Sequence, residues 1–325
     1  MFASAYRRSA PALALVASLA GCGGPQALPG GMVPQAVGPA SQQNAVKSFQ
    51  PGQHPTHDKS WMMADPMATN LVYITDTFAK VVDVYTYPGL KSAGQLTGFS
   101  YPQGECTDKT GDVYIADAAG TVYEYAHGGT SPINTITTWM YQPTGCAINP
   151  KTGDLAVANG NVQVIVFPNG GAGSPVAYRD FNFQQTISLG YDSHGNLFVD
   201  GYDGSHMFHY AELPKGAEAF TDITLNGFPT SNGAGGVQWD GTYMTVGDSE
   251  STIYRTEGSN VVGATLLLGT QCVFAYYITP SKHDVIAPDQ CGTNLVGVYP
   301  YPGDGNPLKA ITSGLETPYG AVLSI

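Results

Sequence analysis

Four aspartates stand at equivalent points along the sequence and are the first candidates for chemistry: Asp76, Asp117, Asp248 and Asp289. Each ends a short apolar, strand-like run. Carboxylate oxygens brought together from several strands are the ligands that Ca²⁺ prefers. An aspartate at the end of a strand also commonly accepts hydrogen bonds from the turn that follows it. The sequence therefore allows either a ring of carboxylates around a divalent cation or four separate turn caps.

A fifth carboxylate, Glu105, lies within a strand-like run of the kind that precedes these segments. The equivalent positions of the other runs carry no carboxylate: Cys146, Leu189, Val237, Tyr276 and Ala321. One oxygen ligand does not make a metal site, because Ca²⁺ takes about six to eight. We therefore predict no cofactor, with a central divalent cation such as Ca²⁺ as the alternative, and place Glu105 among the ligand-binding candidates.

Aromatic residues precede five of the same runs: Tyr101, Tyr141, Phe183, Phe228 and Phe274. If the runs surround a common axis, these rings gather near one mouth of the central channel. Flat rings at such a mouth stack on a sugar or an aromatic ligand. The alternative is that these rings pack between neighbouring sheets, which is the usual role of aromatic residues in folds whose sheets surround a common axis.

Four cysteines follow Cys22, an even number that indicates disulfides in an exported chain. Cys272 precedes one strand-like run and Cys291 follows the next, so we predict that they pair within one repeat unit. Cys106 is two residues past Gly104, whereas Cys146 is one past Gly145, the matching glycine. This offset points the two side chains to opposite faces of adjacent strands and predicts a Cys106–Cys146 bridge between neighbouring units.

Histidines offer no clear site. His206 and His209 are three residues apart, a spacing that sends side chains to opposite faces of a strand, so we interpret both as surface residues. The sequence contains no nucleophile elbow, no HExxH motif and no glycine-rich phosphate loop. No residue set therefore predicts a particular reaction.

The N-terminus predicts export. Arg7-Arg8 precede an apolar run too short to span a bilayer, as in a signal peptide. The run ends in Leu19-Ala20-Gly21-Cys22, which resembles the lipobox of bacterial lipoproteins and implies that Cys22 is lipidated. Several acyl chains on one residue anchor a protein stably to a membrane. We predict a signal peptide over 1–21, a Pro- and Gly-rich disordered tether over 22–60 and a folded domain over 61–325.

Composition favours a fold of many short strands. Charged residues make up 12% of the chain, against roughly 25% in ordinary soluble domains, while 41 glycines and 20 tyrosines suit strands joined by tight turns. The formal net charge of −12 disfavours binding to phosphate backbones. Nucleic acid is therefore not expected as a partner, and we expect a monomer.

A repeat organises these residues. The segment Gly111-Asp112-Val113-Tyr114-Ile115-Ala116-Asp117 recurs, with successive copies separated by 42, 42, 42, 46 and 42 residues. The copies are anchored at Asn70, Asp112, Asp154, Asn196, Thr242 and Asp284. This period, with about four strand-like runs in each unit, is the size of a β-propeller blade. We predict an all-β, six-bladed propeller of four-stranded antiparallel blades.

A small residue precedes each of the five later anchors, at Gly104, Gly145, Ser188, Gly236 and Ala275, and a sixth, Gly320, follows the last anchor at the corresponding repeat position. Inner strands crowd toward a propeller axis, where bulk is poorly tolerated. The first anchor has no strand-like segment with a small residue before it, whereas the last unit is followed by such a segment, Pro318 to Ile325. The C-terminal strand is therefore predicted to complete the N-terminal blade and close the ring.

The pattern Pro102-x-Gly104…Asp108-x-x-Gly111-Asp112-x-Tyr114-x-Ala116-Asp117 resembles an NHL repeat, and the region from about 65 to 325 is similar to NHL and SMP-30/gluconolactonase-like propellers. The chain departs from NHL repeats after Asp117, where Ala118-Ala119-Gly120-Thr121 replaces the usual Asn and Arg. The SMP-30-like resemblance implies a possible metal-dependent hydrolase or lyase.

Together these features predict a lipid-anchored, extracytoplasmic propeller of a bacterial cell envelope, on the outer membrane, at its periplasmic side or at the cell surface. Its expected role is non-catalytic binding of a carbohydrate, small molecule or protein. The alternatives are a metal-dependent enzyme of the SMP-30 type and a structural envelope protein.

Overall fold

The computed structural model describes residues 58–137, 139–281 and 283–325. Within these residues the strands form six antiparallel sheets, and the helical elements are two single 3₁₀ turns, Pro66–Ala68 and Pro168–Gly171. The sheets are arranged as the blades of a propeller, which confirms the predicted all-β, six-bladed architecture. No helix in the described part of the chain has the length and apolarity needed to cross a membrane.

In each of the first three blades, the second strand from the axis begins next to one anchor of the repeat. Blade 1 contains β1 (Trp61–Met62), β2 (Leu71–Asp76), β3 (Val81–Thr86), β4 (Ser92–Thr97) and the C-terminal strand β25 (Pro318–Ser324). Blade 2 contains β5 (Pro102–Thr107), β6 (Val113–Asp117), β7 (Thr121–Tyr125) and β8 (Pro132–Ile136). Blade 3 contains β9 (Gly145–Ile148), β10 (Leu155–Ala158), β11 (Gln163–Phe167) and β12 (Val176–Arg179).

In the remaining blades, as in blades 2 and 3, the strands follow sequence order from the axis to the rim. Blade 4 contains β13 (Gln185–Tyr191), β14 (Leu197–Tyr202), β15 (Phe208–Leu213) and β16 (Thr221–Asp222). Blade 5 contains β17 (Ala234–Trp239), β18 (Met244–Asp248), β19 (Thr252–Glu257) and β20 (Asn260–Leu266). Blade 6 contains β21 (Tyr277–Ile278), β22 (Asp284–Pro288), β23 (Val296–Pro300) and β24 (Lys309–Ile311).

The C-terminal strand closes the ring as predicted. β25 pairs antiparallel with β2, from Leu71 opposite Ser324 to Asp76 opposite Pro318. A feature the repeat did not predict is β1, which pairs with β4 and adds a fifth strand at the outer edge of blade 1. A strand of two residues carries no periodicity, so it could not be predicted from the sequence pattern.

The small repeat positions lie where neighbouring inner strands approach most closely. A Cβ at Gly104 would lie 2.8 Å from the Thr144 carbonyl oxygen, and one at Gly145 would lie 2.9 Å from that of Ile187. Backbone contacts this short leave no room for a side chain. The predicted crowding at the axis is confirmed, and it explains why these positions are glycine.

Apolar side chains are buried mainly between the blades. Every residue of β2, β6, β10 and β18 is buried. The buried apolar residues form six clusters, each drawn from neighbouring blades, as where Leu71 and Val82 of blade 1 meet Val113 and Ile115 of blade 2. Because both faces of a blade are covered, the second strands read as continuous apolar runs rather than as an alternating pattern.

Both predicted disulfides are present. Cys106 of β5 and Cys146 of β9 join blades 2 and 3, with their Cα atoms 5.6 Å apart. Cys272 and Cys291 are joined within blade 6, with a Cα separation of 5.2 Å. Both separations fall in the usual range for disulfides. Two bridges suit an exported protein.

The tight turns between first and second strands are held by polar side chains. Oδ1 of Asp108 accepts hydrogen bonds from the backbone N–H groups of Thr110 and Asp112, both at 2.9 Å. Asn149 and Asp192 do the same in blades 3 and 4. These side chains are engaged locally, as turn residues commonly are.

Candidate functional site

The inner strands of the six blades surround a central cavity of about 290 Å³. Phe274 and Tyr319 line it near the face where the inner strands begin, and Tyr191 and Trp239 line it near the face where they end. The volume is close to the lower end of the range for ligand pockets, roughly 300 to 1,000 Å³. The cavity is therefore of a size for a small molecule.

Glu105 carries the polar group of greatest interest in this cavity. Its two carboxylate oxygens are shielded from solvent and neither makes a hydrogen bond. Burial raises the pKa of Glu105 well above its ordinary value. The backbone of Thr75 lies close enough to lower it in smaller measure, although its N–H and the carboxylate do not reach hydrogen-bond geometry. Burying a carboxyl group without a hydrogen-bond partner lowers the stability of the folded state. Glu105 is thus the position in the channel wall where a hydrogen-bond donor from a ligand would contribute most.

Several other polar groups of the wall are already engaged. The Tyr276 hydroxyl donates to Oγ1 of Thr245 at 2.8 Å, and the Gln238 amide both donates to and accepts from the backbone of Ile278. Ser188 Oγ accepts from the backbone N–H of Val237 at 3.1 Å. Among the described residues lining the cavity, the buried side-chain oxygens without a partner are those of Glu105.

A stacked aromatic pair lies at one end of the cavity. The rings of Phe274 in blade 6 and Tyr319 in blade 1 are nearly parallel, with an interplanar angle of 5° and centroids 6.0 Å apart. Burial raises the pKa of Tyr319, as do the nearby Tyr202 and Asp200. The pair offers a flat, largely apolar surface next to the cavity, suited to a planar ligand face.

Asp200 is a buried carboxyl that the sequence analysis did not single out. It lies on β14 and is fully buried. Its Oδ1 accepts from the backbone N–H of Ser188 at 2.9 Å and its Oδ2 from that of Gly236 at 3.2 Å, so it links the inner strands of blades 4 and 5. Burial raises its pKa to about 7, against the lowering effect of these hydrogen bonds. An aspartate directly after the apolar run Leu197 to Val199, within the same strand-like segment, was the available sign.

The four aspartates considered for a carboxylate ring are buried and lie apart. Asp117 accepts from the backbone N–H groups of Ser100 and Tyr101, at 2.7 and 2.9 Å, and thereby holds the segment that enters the inner strand of its blade. Asp76 and Asp289 hold the corresponding segments of their blades, and Asp248 binds the Asn232 amide and the turn after β18. Their oxygens face backbone N–H groups, which matches the turn-cap interpretation.

The five aromatic residues expected at one mouth of the channel are not brought together. Phe274 lines the cavity. Phe183 and Phe228 belong to buried clusters between blades, as the packing alternative predicted. Tyr101 and Tyr141 are exposed to 47% and 65% and do not line the cavity. The strand register alone could not predict whether each ring points into the channel, between the blades or into solvent.

Histidine placement differs from the sequence expectation in one case. His206 is exposed in the β14–β15 turn, as predicted, whereas the side chain of His209 is only 17% exposed and faces Asp180 and Asp222. These two aspartates lie outside the repeated segments, so the repeat pattern could not bring them together with His209. Cys22, the signal peptide and nearly all of the predicted tether fall outside the described residues.

Comparison with known proteins shows the fold but no family. No protein-family model matches the chain, and no curated protein matches it. Among solved structures, a chain of a nidogen/laminin complex aligns with a TM-score of 0.63 and 13% identity, covering 79% of this chain and 98% of that one. U3-55K aligns with a TM-score of 0.51 and 11% identity, covering 78% and 77%. At these identities the likeness concerns the β-propeller fold alone.

Proposed function

We propose that this chain is an exported, lipid-anchored propeller of a bacterial cell envelope that binds a small ligand in its central channel without transforming it. The observation that carries the proposal is the buried, unpaired carboxyl of Glu105 in the wall of a cavity lined also by aromatic rings and by hydrogen-bonded groups such as the Tyr276 hydroxyl and the Gln238 amide. Ligand pockets commonly combine an apolar lining with very few polar groups that fix orientation.

The ligand class follows from this wall. Rotation of the Glu105 side chain toward the cavity presents oxygens that need hydrogen-bond donors, which hydroxyl and amino groups supply. Phe274 and Tyr319 supply a flat surface beside it. A ligand of monosaccharide size with a hydrogen-bond donor at one edge fits both features. The lipobox at Cys22 supports a membrane location, and the two disulfides suit an extracytoplasmic compartment.

The binding proposal is tested by replacing Glu105 with glutamine, which keeps the shape and changes the acceptor. The purified chain is titrated with a monosaccharide panel and a primary-amine panel, and binding is followed by calorimetry and by the fluorescence of Trp239, which lines the cavity. We expect at least one panel to bind and Glu105→Gln to weaken that binding at least tenfold, about 1.4 kcal/mol.

The matched control is Glu316→Gln, because Glu316 is an exposed carboxylate in the segment that leads into β25. This variant should bind as the wild type does. Equal affinity of the wild type and Glu105→Gln for every probe that binds would contradict the assignment of Glu105, and binding without a Trp239 response would place the ligand outside the channel.

A further inference from the structure

A second cluster of polar side chains lies away from the channel, between blades 3 and 4. Asp180 directly follows β12, His209 lies on β15 and Asp222 ends β16. One ligand atom from each lies within 4.8 Å of the others, and no other group of three such side chains in the described ranges comes this close. We call these three residues the Asp-His-Asp cluster.

The backbone explains how the cluster forms. Asp222 is paired with Ala211 in the antiparallel ladder of β15 and β16, which places its side chain on the same face as His209, two residues away along β15. Asp180 reaches them from the neighbouring blade, in the connection that leads to β13. The rings of Phe183 and His209 meet edge to face, with centroids 4.4 Å apart, and this contact fixes the imidazole plane.

Asn182 holds one oxygen of each carboxylate and leaves the other facing the imidazole. Its backbone N–H donates to Oδ1 of Asp180 at 2.9 Å, and its side-chain amide donates to Oδ2 of Asp222 at 2.7 Å. The remaining oxygens, Oδ2 of Asp180 and Oδ1 of Asp222, lie 3.5 and 3.2 Å from Nε2 of His209. Outer partners that orient ligands in this way are typical of metal sites.

Asp180 is the independent sign that something is to be bound. Its side chain is only 8% exposed, yet Oδ2 is buried and makes no hydrogen bond. The imidazole has a single N–H at Nε2, which can make one good hydrogen bond. It therefore cannot serve as the donor for both carboxylate oxygens that face it. A cation at the centre would satisfy all three groups.

The distances suit a small tetrahedral ion. Zn²⁺ binds imidazole nitrogen and carboxylate oxygen at about 2.0 to 2.2 Å, which places tetrahedral ligand atoms about 3.3 to 3.6 Å apart. The two separations from Nε2 of His209, 3.5 and 3.2 Å, are close to this edge length. Asp222 is half exposed, so a fourth position can be open to water.

We propose that Asp180, His209 and Asp222 form a divalent metal site that takes Zn²⁺, with Asn182 as the residue that orients both carboxylates. The site has three protein ligands and one solvent position. It joins blades 3 and 4 and is separate from the cavity around Glu105.

The test measures Zn²⁺ binding to the purified full chain after removal of metal with a chelator. Zinc is titrated against a chromophoric competitor, and Co²⁺ absorption reports tetrahedral coordination. We expect one Zn²⁺ per chain and a rise in melting temperature on binding. Asp222→Asn should lower the zinc affinity at least tenfold and abolish that rise. Because Asp222 is half exposed, this variant leaves the packed core unchanged.

His209→Asn should show the same loss, and His206→Asn is its matched control. His206 is exposed three residues earlier and has a left-handed backbone, which asparagine tolerates. Zinc binding by Asp222→Asn and His209→Asn equal to that of the wild type, or Ca²⁺ binding in place of Zn²⁺, would overturn the proposal. Loss of zinc binding in Glu105→Gln would overturn it too, because the ion would then lie in the channel.

Discussion

Buried carboxyl groups in this propeller differ in what surrounds their oxygens. Asp117 accepts hydrogen bonds from backbone N–H groups of an incoming segment and a following turn. Asp200 accepts from two inner strands, yet full burial still raises its pKa to about 7. Glu105 makes no hydrogen bond. The same residue type therefore serves as a turn cap, a link between blades and a group in the wall of the cavity.

Asp200 predicts a pH dependence of stability. Its pKa is about 7 in the folded chain and 3.8 ordinarily, so between these values the folded state holds a proton that the unfolded state has lost. The free energy of unfolding then falls as the pH rises from about 4 to 7, by a few kcal/mol, and is level above that range. Asp200→Asn should remove this fall in the free energy of unfolding between about pH 4 and 7.

The measurement is urea unfolding of the wild type and Asp200→Asn between pH 4 and 8. Other carboxyl groups titrate in both proteins, so the difference between the two curves isolates Asp200. A difference that does not change with pH would show that Asp200 is ionised throughout the range in the folded chain.

At the scale of the strand, the inner strands are set by contacts that leave no room for side chains. The Gly104 N–H donates to the Thr144 carbonyl at 2.9 Å, so blades 2 and 3 are joined directly by a backbone hydrogen bond. The Thr75 hydroxyl accepts from the Gly320 N–H at 2.8 Å and donates to the Gln103 carbonyl, which links the closing strand to blade 2.

Gly104→Ala should therefore destabilise the propeller. The added methyl would stand 2.8 Å from the Thr144 oxygen, and only movement of the two inner strands relieves this contact. Overpacking of this kind costs about 1 to 3 kcal/mol. Chemical unfolding measures the loss. Gly204→Ala is the control, because nothing lies within 4 Å of its added carbon; an equal effect of both substitutions would remove the steric explanation.

The period of the sequence was sufficient to predict the strand order and the closure, because each blade repeats the same hydrogen-bonded unit. The anchors fall at or just before the starts of the second strands, from Leu71 to Asp284. The Cys106–Cys146 pair followed from the strand face that each residue occupies, and the Cys272–Cys291 pair from their places before one strand and after the next in the same unit. Features that depend on side-chain rotation or on segments outside the repeat could not be predicted this way, such as the burial of Phe183 and the meeting of Asp180 with Asp222.

For the whole molecule, the ring is held by β25 and by the Cys106–Cys146 bridge between blades 2 and 3. The second bridge, Cys272–Cys291, lies within blade 6 and closes a shorter loop, with a sequence separation of 19 rather than 40. In the chain-entropy description, the longer loop contributes more to stability because its closure restricts the unfolded chain more.

Cys106→Ala with Cys146→Ala should lower stability by about 4 kcal/mol, against about 3 kcal/mol for Cys272→Ala with Cys291→Ala. The first double variant is then expected to melt roughly 10 °C below the wild type. Calorimetry of the three proteins gives the comparison. An unchanged melting temperature of the first variant would mean that the bridge between blades does not constrain the unfolded chain.

Location is the property of the whole chain that one substitution tests most directly. Acylation requires the Cys22 thiol, so Cys22→Ser should move the protein from the membrane fraction to the soluble fraction and abolish labelling by a fatty-acid analogue. Gln26→Ser, four residues later in the predicted tether, is the control and should remain membrane-bound and labelled. Both variants keep the folded domain, so binding of the channel probe and of Zn²⁺ should be unchanged. Cys22→Ser that still fractionates with membranes and is released only by detergent would show that another part of the chain holds it there.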